Sequence, residues 1–254
     1  MNHTFLLAFA KKTAKRAGEL VLKHYHKPAL SVFKVDGAGR PNTVTKADEE
    51  SESYIVSAIQ SEYPDHGVYG EEGTNHELDR EFVWYVDPID GTTNFWRNIP
   101  LFGISIGLVQ EKKPILGVLY FPVLDLMLSA YKGEGAQVNG LPITVSDRTL
   151  EEGLYYIRTA ESRDGLQFPK VGAKTGWIRA IDASSFEFAQ IAMGNAECYT
   201  FKGKQPHDMV AGVSIITEAG GKVSDEHGAP WTTDSEIIVA TNGKIHEEVL
   251  NLMK

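Results

Sequence analysis

Cysteine is nearly missing from this chain: its 254 residues include one, Cys198, so no disulfide can close within it. That excludes a disulfide-stapled scaffold and fits a reducing compartment. Positive charge is also scarce, with 25 Lys and Arg against 34 Asp and Glu and a formal net charge of −9. Such a chain carries no electrostatic footprint for nucleic acid or for an anionic membrane surface. No stretch approaches the roughly 20 apolar residues that a membrane-spanning helix needs. The basic Lys11 and Lys12 follow the apolar opening residues, the reverse of a signal peptide, so the expected location is the cytoplasm. Repeats and low-complexity linkers are absent too. What is present is 42% hydrophobic and 10% aromatic residues, enough for a large core in one big domain or two packed halves. An acidic chain that handles an anionic substrate must draw it in with local cations, and carboxylates that gather Mg²⁺ would provide them.

Leu6, Phe9, Ala10, Thr13, Ala17, Leu20, Val21 and His24 recur at helical spacing and predict an amphipathic helix over about 5–25. Gly and Pro content marks 35–42 as a loop. A second helix is expected over about 47–63, ended by Pro64, with Tyr54, Ile55, Ala58 and Ile59 on its buried side. Short apolar runs then predict strands at 82–86, 102–109, 115–121 and 126–131. Later come helices at 186–193, 209–219 (stopped by Gly220-Gly221) and 245–253, with strands at 197–201 and 237–240. The chain reads as mixed α/β, with sheets and helices in layers.

The most informative segment is Trp84-Tyr85-Val86-Asp87-Pro88-Ile89-Asp90-Gly91-Thr92-Thr93-Asn94-Phe95. Asp87 and Asp90 follow an apolar strand and straddle a proline, which stiffens the chain and could aim both carboxylates at one hard divalent cation. Gly91 would permit close backbone approach, and Thr92-Thr93-Asn94 could open a short helix whose free amides seat a phosphate. Alone, Asp90-Gly91 is an ordinary turn. Asp48 and Glu71 alone would be a helix cap or a solvated acid, and Asp208 an N-cap. Cys198 reads as a small buried residue, and Glu72 as a structural neighbour of the site. His207 faces either the substrate or the packing.

The string Val86–Phe95 resembles the signature of the inositol monophosphatase family. Gly70-Glu71-Glu72-Gly73, Val44-Thr45-Lys46-Ala47-Asp48 and Pro206-His207-Asp208-Met209-Val210-Ala211-Gly212 resemble three further motifs of that family, in the same order. The resemblance implies an α/β, αβαβα sandwich of the inositol monophosphatase/fructose-1,6-bisphosphatase type. It implies one such domain over 1–254, with a metal-site half to about 145 and an α/β half from about 146. It also implies a Mg²⁺-dependent phosphatase that uses two or three ions, with Mn²⁺ able to substitute, and that acts as a homodimer on a small phosphate monoester. Glu71, Asp87 and the carbonyl of Ile89 would hold one ion, and Asp87, Asp90 and Asp208 another. Asp48 with Thr92 would activate the attacking water, and Glu71 would hold a third ion or that water. Gly91 and Thr92 would donate amides to the substrate phosphate.

The chain departs from the family at its substrate wall. Asp182-Ala183-Ser184-Ser185 stands where a Gly-Ser/Thr-Ala turn is usual, and Phe201 stands where a glutamate contacts sugar hydroxyls. A phenyl ring accepts no such hydrogen bond, which speaks against inositol phosphate as the preferred substrate. The implied substrate-facing set is Ile89, Asp90, Gly91, Thr92, Asp182, Ala183, Ser184, Phe201 and Asp208. Asn42 replaces an acid ahead of the Val-Thr motif, and Thr93 a lysine typical of the nucleotide-phosphate branch. Histidinol phosphate and a sugar bisphosphate are the alternative substrates, and a catalytically inactive metal-binding regulator is the alternative of another class.

Overall fold

A computed structural model describes residues 3–27, 31–35, 41–158 and 168–254. The chain opens with α1 (His3–Leu22), the strands β1 (Ser31–Val35) and β2 (Pro41–Thr45), and α2 (Lys46–Glu62). The strands β3 (Gly67–Gly70), β4 (Asn75–His76) and β5 (Phe82–Asp90) follow, then the short helix α3 (Thr92–Trp96). Next come β6 (Gly103–Gln110), β7 (Lys113–Phe121), β8 (Leu126–Tyr131), β9 (Ala136–Val138) and β10 (Leu141–Ile143). The remainder runs β11 (Leu154–Tyr156), α4 (Pro169–Gly172), β12 (Trp177–Arg179), α5 (Ser184–Ala192), β13 (Cys198–Lys202) and α6 (Pro206–Glu218). It closes with β14 (Lys222–Ser224), β15 (Ile237–Thr241) and α7 (His246–Met253).

Among the described residues, β10-β9-β8-β7-β6-β5-β3-β4 form an eight-stranded sheet and β12-β11-β13-β15-β14 a five-stranded one. The large sheet is antiparallel except for β3 beside β5. In the small sheet β11 runs parallel to both β12 and β13. Leu6, Ala10, Ala14 and Ala17 of α1, with Ile55 and Ile59 of α2, pack on Trp84, Val86, Ile104, Ile106 and Val118 of the large sheet. The opposite face of that sheet meets Phe188 of α5 and Val210 and Ile215 of α6, which in turn pack on Tyr199 and Ile238 of the small sheet. Val171 of α4 and Val249 and Leu250 of α7 cover its outer face, where Cys198 is buried. The layers are therefore helix, sheet, helix, sheet, helix, as expected. Helix α6 lies so near the large sheet that a Cβ on Gly117 of β7 would come within 2.2 Å of the Ala211 carbonyl oxygen. Only glycine fits there.

Three expectations shift. The loop expected at 35–42 is narrower, because Val35 pairs with Pro41 in the β1–β2 ladder, and 36–40 lie outside the described residues. The first helix ends at Leu22, and Tyr25 beyond it turns its ring toward Phe95 and Phe102 at 5.8 and 5.1 Å. The third shift, in β5, builds the site. Among the described residues, no helix is long and apolar enough to cross a membrane.

Candidate metal centre and active site

Strand β5 does not stop at Val86 before the acids; it runs on through Asp90. Along it Val83 and Tyr85 pack toward α6, while Trp84 and Val86 pack toward α1 and α2. Period-two alternation therefore sends Asp87 to the α6 side and would send Asp90 to the other. A β-bulge prevents this. Asp87 pairs with Ser105 and Asp90 with Gly103, so three steps on β5 match two on β6, and both carboxylates emerge on one face. Pro88 sits inside the bulge, where its missing N–H breaks no ladder bond. Asp87 Oδ1 accepts from the Ile89 amide at 3.0 Å, and Ser51 Oγ donates to the Pro88 carbonyl at 3.2 Å. Gly91 then takes a left-handed φ of 85°, and an added Cβ would sit 3.0 Å from both Ala183 Cβ and the Leu101 carbonyl. It is needed for backbone conformation and for packing across the site.

Helix α2 supplies the next acids. Its buried stripe is Asp48, Ser51, Glu52, Ile55 and Ile59, polar at the site end and apolar beyond. Asp48 closes a capping box: its Oδ2 accepts from the Thr45 amide at 2.7 Å and the Thr45 hydroxyl at 2.6 Å. Its Oδ1 is left to the Thr92 hydroxyl at 3.3 Å, which also lies 2.9 Å from the Ile89 carbonyl. One turn on, Glu52 accepts from the Glu72 amide at 2.8 Å and the Thr74 hydroxyl at 2.7 Å. It thereby ties down the segment that presents Glu71. Glu52 escaped the sequence reading, although its i+4 spacing from Asp48 places both on one helix face.

The other wall comes from the second half of the chain. The amides of Ser184 and Ser185, at the start of α5, donate to Asp90 Oδ1 and Oδ2 at 3.2 and 2.6 Å. Asp208 lies in the first turn of α6, behind Pro206, and makes no cap; its N-cap residue is Gln205. Arg158 Nη1 donates to Asp208 Oδ2 at 3.0 Å and to Gln205 Oε1. The His207 ring stacks 5.9 Å from Tyr69, with Nε2 3.2 Å from Asp208 Oδ1. His207 is thus packed beside Asp208, with its Nδ1 buried and without a hydrogen-bond partner among the described residues. Arg158 was missed because nothing in its local sequence marks it.

Asp87, Asp90 and Asp208 each offer an oxygen within 4.8 Å of the others, and all three side chains are buried. Burial pushes Asp48 and Asp90 up to about 7; at Asp90 the charge of Asp208 adds to it. Burial, with the neighbouring charge of Asp208 for Glu71 and of Glu71 for Asp87, holds those two well above the ordinary carboxylate range. Glu71 Oε2 is buried with no hydrogen-bond partner. Carboxylates packed this closely do not all ionise without a cation among them. An all-oxygen donor set with an orphaned carboxylate oxygen fits a hard divalent ion. By contrast, a cavity of about 470 Å³ near Tyr69, Tyr85, Lys112 and Lys204 is lined by none of the clustered acids. Chemistry, not cavity size, picks out the site.

Layered sheets that bring buried carboxylates together define the class of fold and a candidate metal centre. The chain matches the inositol monophosphatase family over residues 2–254. Inositol monophosphatase 3 of Solanum lycopersicum is 32% identical over 263 residues, covering 97% of this chain and 96% of that one. The fructose-1,6-bisphosphatase/inositol-1-monophosphatase of Thermotoga maritima is 32% identical over 248 residues, covering 97% of this chain and 95% of that one. A solved IMPase of Thermotoga maritima superposes with a TM-score of 0.87 at 30% identity, covering 97% of this chain and 96% of that one. The chain belongs to the inositol monophosphatase family and is a phosphatase.

Proposed function

We propose that this phosphatase hydrolyses small-molecule phosphate monoesters with Mg²⁺, two or three ions in all, held by Glu71, Asp87, the Ile89 carbonyl, Asp90 and Asp208. The observation that carries the reading is the convergence of Asp87, Asp90 and Asp208 from a bulged strand and a helix start, all buried. Once bound, such ions supply charge neutralisation and Lewis-acid polarisation at the reacting phosphate, and Mn²⁺ is hard enough to substitute.

The chain's own groups do the rest. Asp48 Oδ2 is committed to Thr45, so Oδ1 takes the Thr92 proton, and the Thr92 oxygen then accepts one from the attacking water. The amides of Gly91 and Thr92, which open α3 and have no intrahelical acceptor, orient the phosphate. Asp182, Ala183, Ser184, Phe201 and Asp208 wall the leaving group. Residues 1–254 act as one unit, because Asp90 of the first half is held by Ser184 and Ser185 of the second. The reading extends to a cytoplasmic homodimer, checked by light scattering. The fructose-1,6-bisphosphatase/inositol-1-monophosphatase of Thermotoga maritima favours a sugar bisphosphate among the alternative substrates.

A panel of phosphomonoesters assayed for phosphate release tests the reading. Turnover should require Mg²⁺ or Mn²⁺ and fall with excess Ca²⁺. Undiminished turnover after exhaustive chelation would overturn the metal assignment, and silence across the panel would overturn the substrate class.

A further inference from the structure

We propose that Arg158 makes this site prefer esters whose leaving group carries a second anion, a carboxylate or another phosphate, over neutral polyol phosphates. The inference rests on the phosphatase reading above. Arg158 follows β11, whose Tyr156 pairs in parallel with Tyr199 of β13. Ligands of α/β sheets bind beyond the carboxyl ends of parallel strands, and Arg158 and Phe201 both stand there, beside Asp208. The guanidinium carbon lies over the Phe201 ring, 4.7 Å from its centroid, a cation–π contact that holds it at this wall. Among the described residues Nη1 donates to both Asp208 and Gln205, and the other two nitrogens have no acceptor there.

The charge balance points the same way. A guanidinium does not lose its proton, so its charge needs a counter-charge. Asp208 already answers to His207 on Oδ1 and Arg158 on Oδ2, and metal ligation would draw on the same two oxygens. Asp90 has both oxygens on the amides of Ser184 and Ser185. Glu187 also faces this wall, where burial holds its carboxyl well above the ordinary range, and its Oε1 already accepts from the Ile181 amide at 3.2 Å. Phe201 offers no acceptor. Among the described residues nothing further accepts from the free edge of the fork, and a carboxylate or phosphate on the ligand would match it two bonds at a time. A polyol brings only neutral hydroxyls.

A matched pair of esters tests this. 2-Phosphoglycerate and glycerol 2-phosphate share a skeleton and differ by one carboxylate in place of a hydroxymethyl group. Wild-type protein with Mg²⁺ should favour 2-phosphoglycerate in kcat/KM, and fructose 1,6-bisphosphate should share the preference if a second phosphate serves as well. In Arg158→Gln the ratio of the two kcat/KM values should fall by about 10²-fold, mainly through the KM of the acid. Arg158→Lys should restore part of it, since it keeps the charge and loses the fork. An unchanged ratio in Arg158→Gln would mean that Arg158 only steadies Asp208, and the inference would fall. A wild-type preference for glycerol 2-phosphate would sink it equally. If neither ester turns over, the phosphatase reading is what has failed. Calorimetric binding of the same pair to Mg²⁺-loaded protein then decides: tighter binding of 2-phosphoglycerate, lost in Arg158→Gln, upholds the inference, and equal binding overturns it.

Discussion

The two walls of the site are built on opposite plans. The first-half wall is a run of acids close in the chain, Asp87 and Asp90 on one bulged strand and Asp48 and Glu52 on one helix face, with Asp48 and Asp87 held by local bonds. The second-half wall is a single representative from each of several elements: Ser185 from α5, Phe201 from β13, Asp208 from α6 and Arg158 from beyond β11. Contiguity lets the first wall set the spacing of charge, which is a matter of chemistry. Dispersal lets the second wall change one residue at a time, which suits the choice of substrate. Damage to the first wall should therefore strike every substrate alike, and damage to the second, Asp208 apart, should strike selectively.

The sharpest break in that contrast is Asp90→Asn. It keeps shape but removes charge from the residue that joins the walls, and kcat/KM should fall on the order of 10³-fold for every ester. The Mg²⁺ concentration needed for thermal stabilisation should rise with it, as a Mg²⁺-dependent melting series would show. Thr92→Ala should lower kcat by about 10²-fold with little change in KM or Mg²⁺ response. Asp48→Asn should match it, and the double variant should be hardly worse, since the two act as a unit; near-normal kcat in Thr92→Ala would remove the pair from the mechanism. Glu52→Gln should cost about 10-fold in Mg²⁺ affinity on titration, because Glu52 touches no proposed ligand and acts by holding the Glu71 segment. A loss confined to melting temperature would make Glu52 purely structural.

The mildest effect concerns pH. Asp48 and Asp90 titrate at about 7 when buried, above their unfolded values near 3.9. Between those values the folded chain binds more protons than the unfolded chain, so stability falls as pH rises from about 4 to about 7. Chelated protein should accordingly melt lower at pH 8 than at pH 5, and Mg²⁺ should raise the melting point more at pH 8. A melting point that rises with pH in chelator would contradict the burial of these acids.

What could be read from the sequence divides along the same line. Helical periodicity marked α1, α2, α6 and α7, and apolar runs marked β5 to β8, because long elements with one buried face leave a pattern. The strands β3, β4, β9, β11, β12 and β14 left none, being two to four residues long. In the first wall Asp48, Asp87 and Asp90 stood in compact motifs, while Glu52 went unread. The bulge was not legible, because a parity shift shows only when β6 lies alongside. Arg158 was not, because its meaning depends on Phe201 and Asp208, which reach it only through the packing of β11, β13 and α6.

Gly117 has a reach beyond its own strand. It offers no atom to any ligand, yet it lets α6 settle with the Ala211 carbonyl almost on β7. Asp208 lies three residues before Ala211 on the same helix, so this backbone contact bears on how near α6 brings Asp208 to the large sheet. Mg²⁺ takes oxygens at about 2.0–2.1 Å and Ca²⁺ at about 2.3–2.6 Å, a difference of a few tenths of an ångström. A Cβ at 117 would start 2.2 Å from the Ala211 carbonyl oxygen and force a larger shift than this, so the proposed metal centre would depend in part on a residue that offers it no atom.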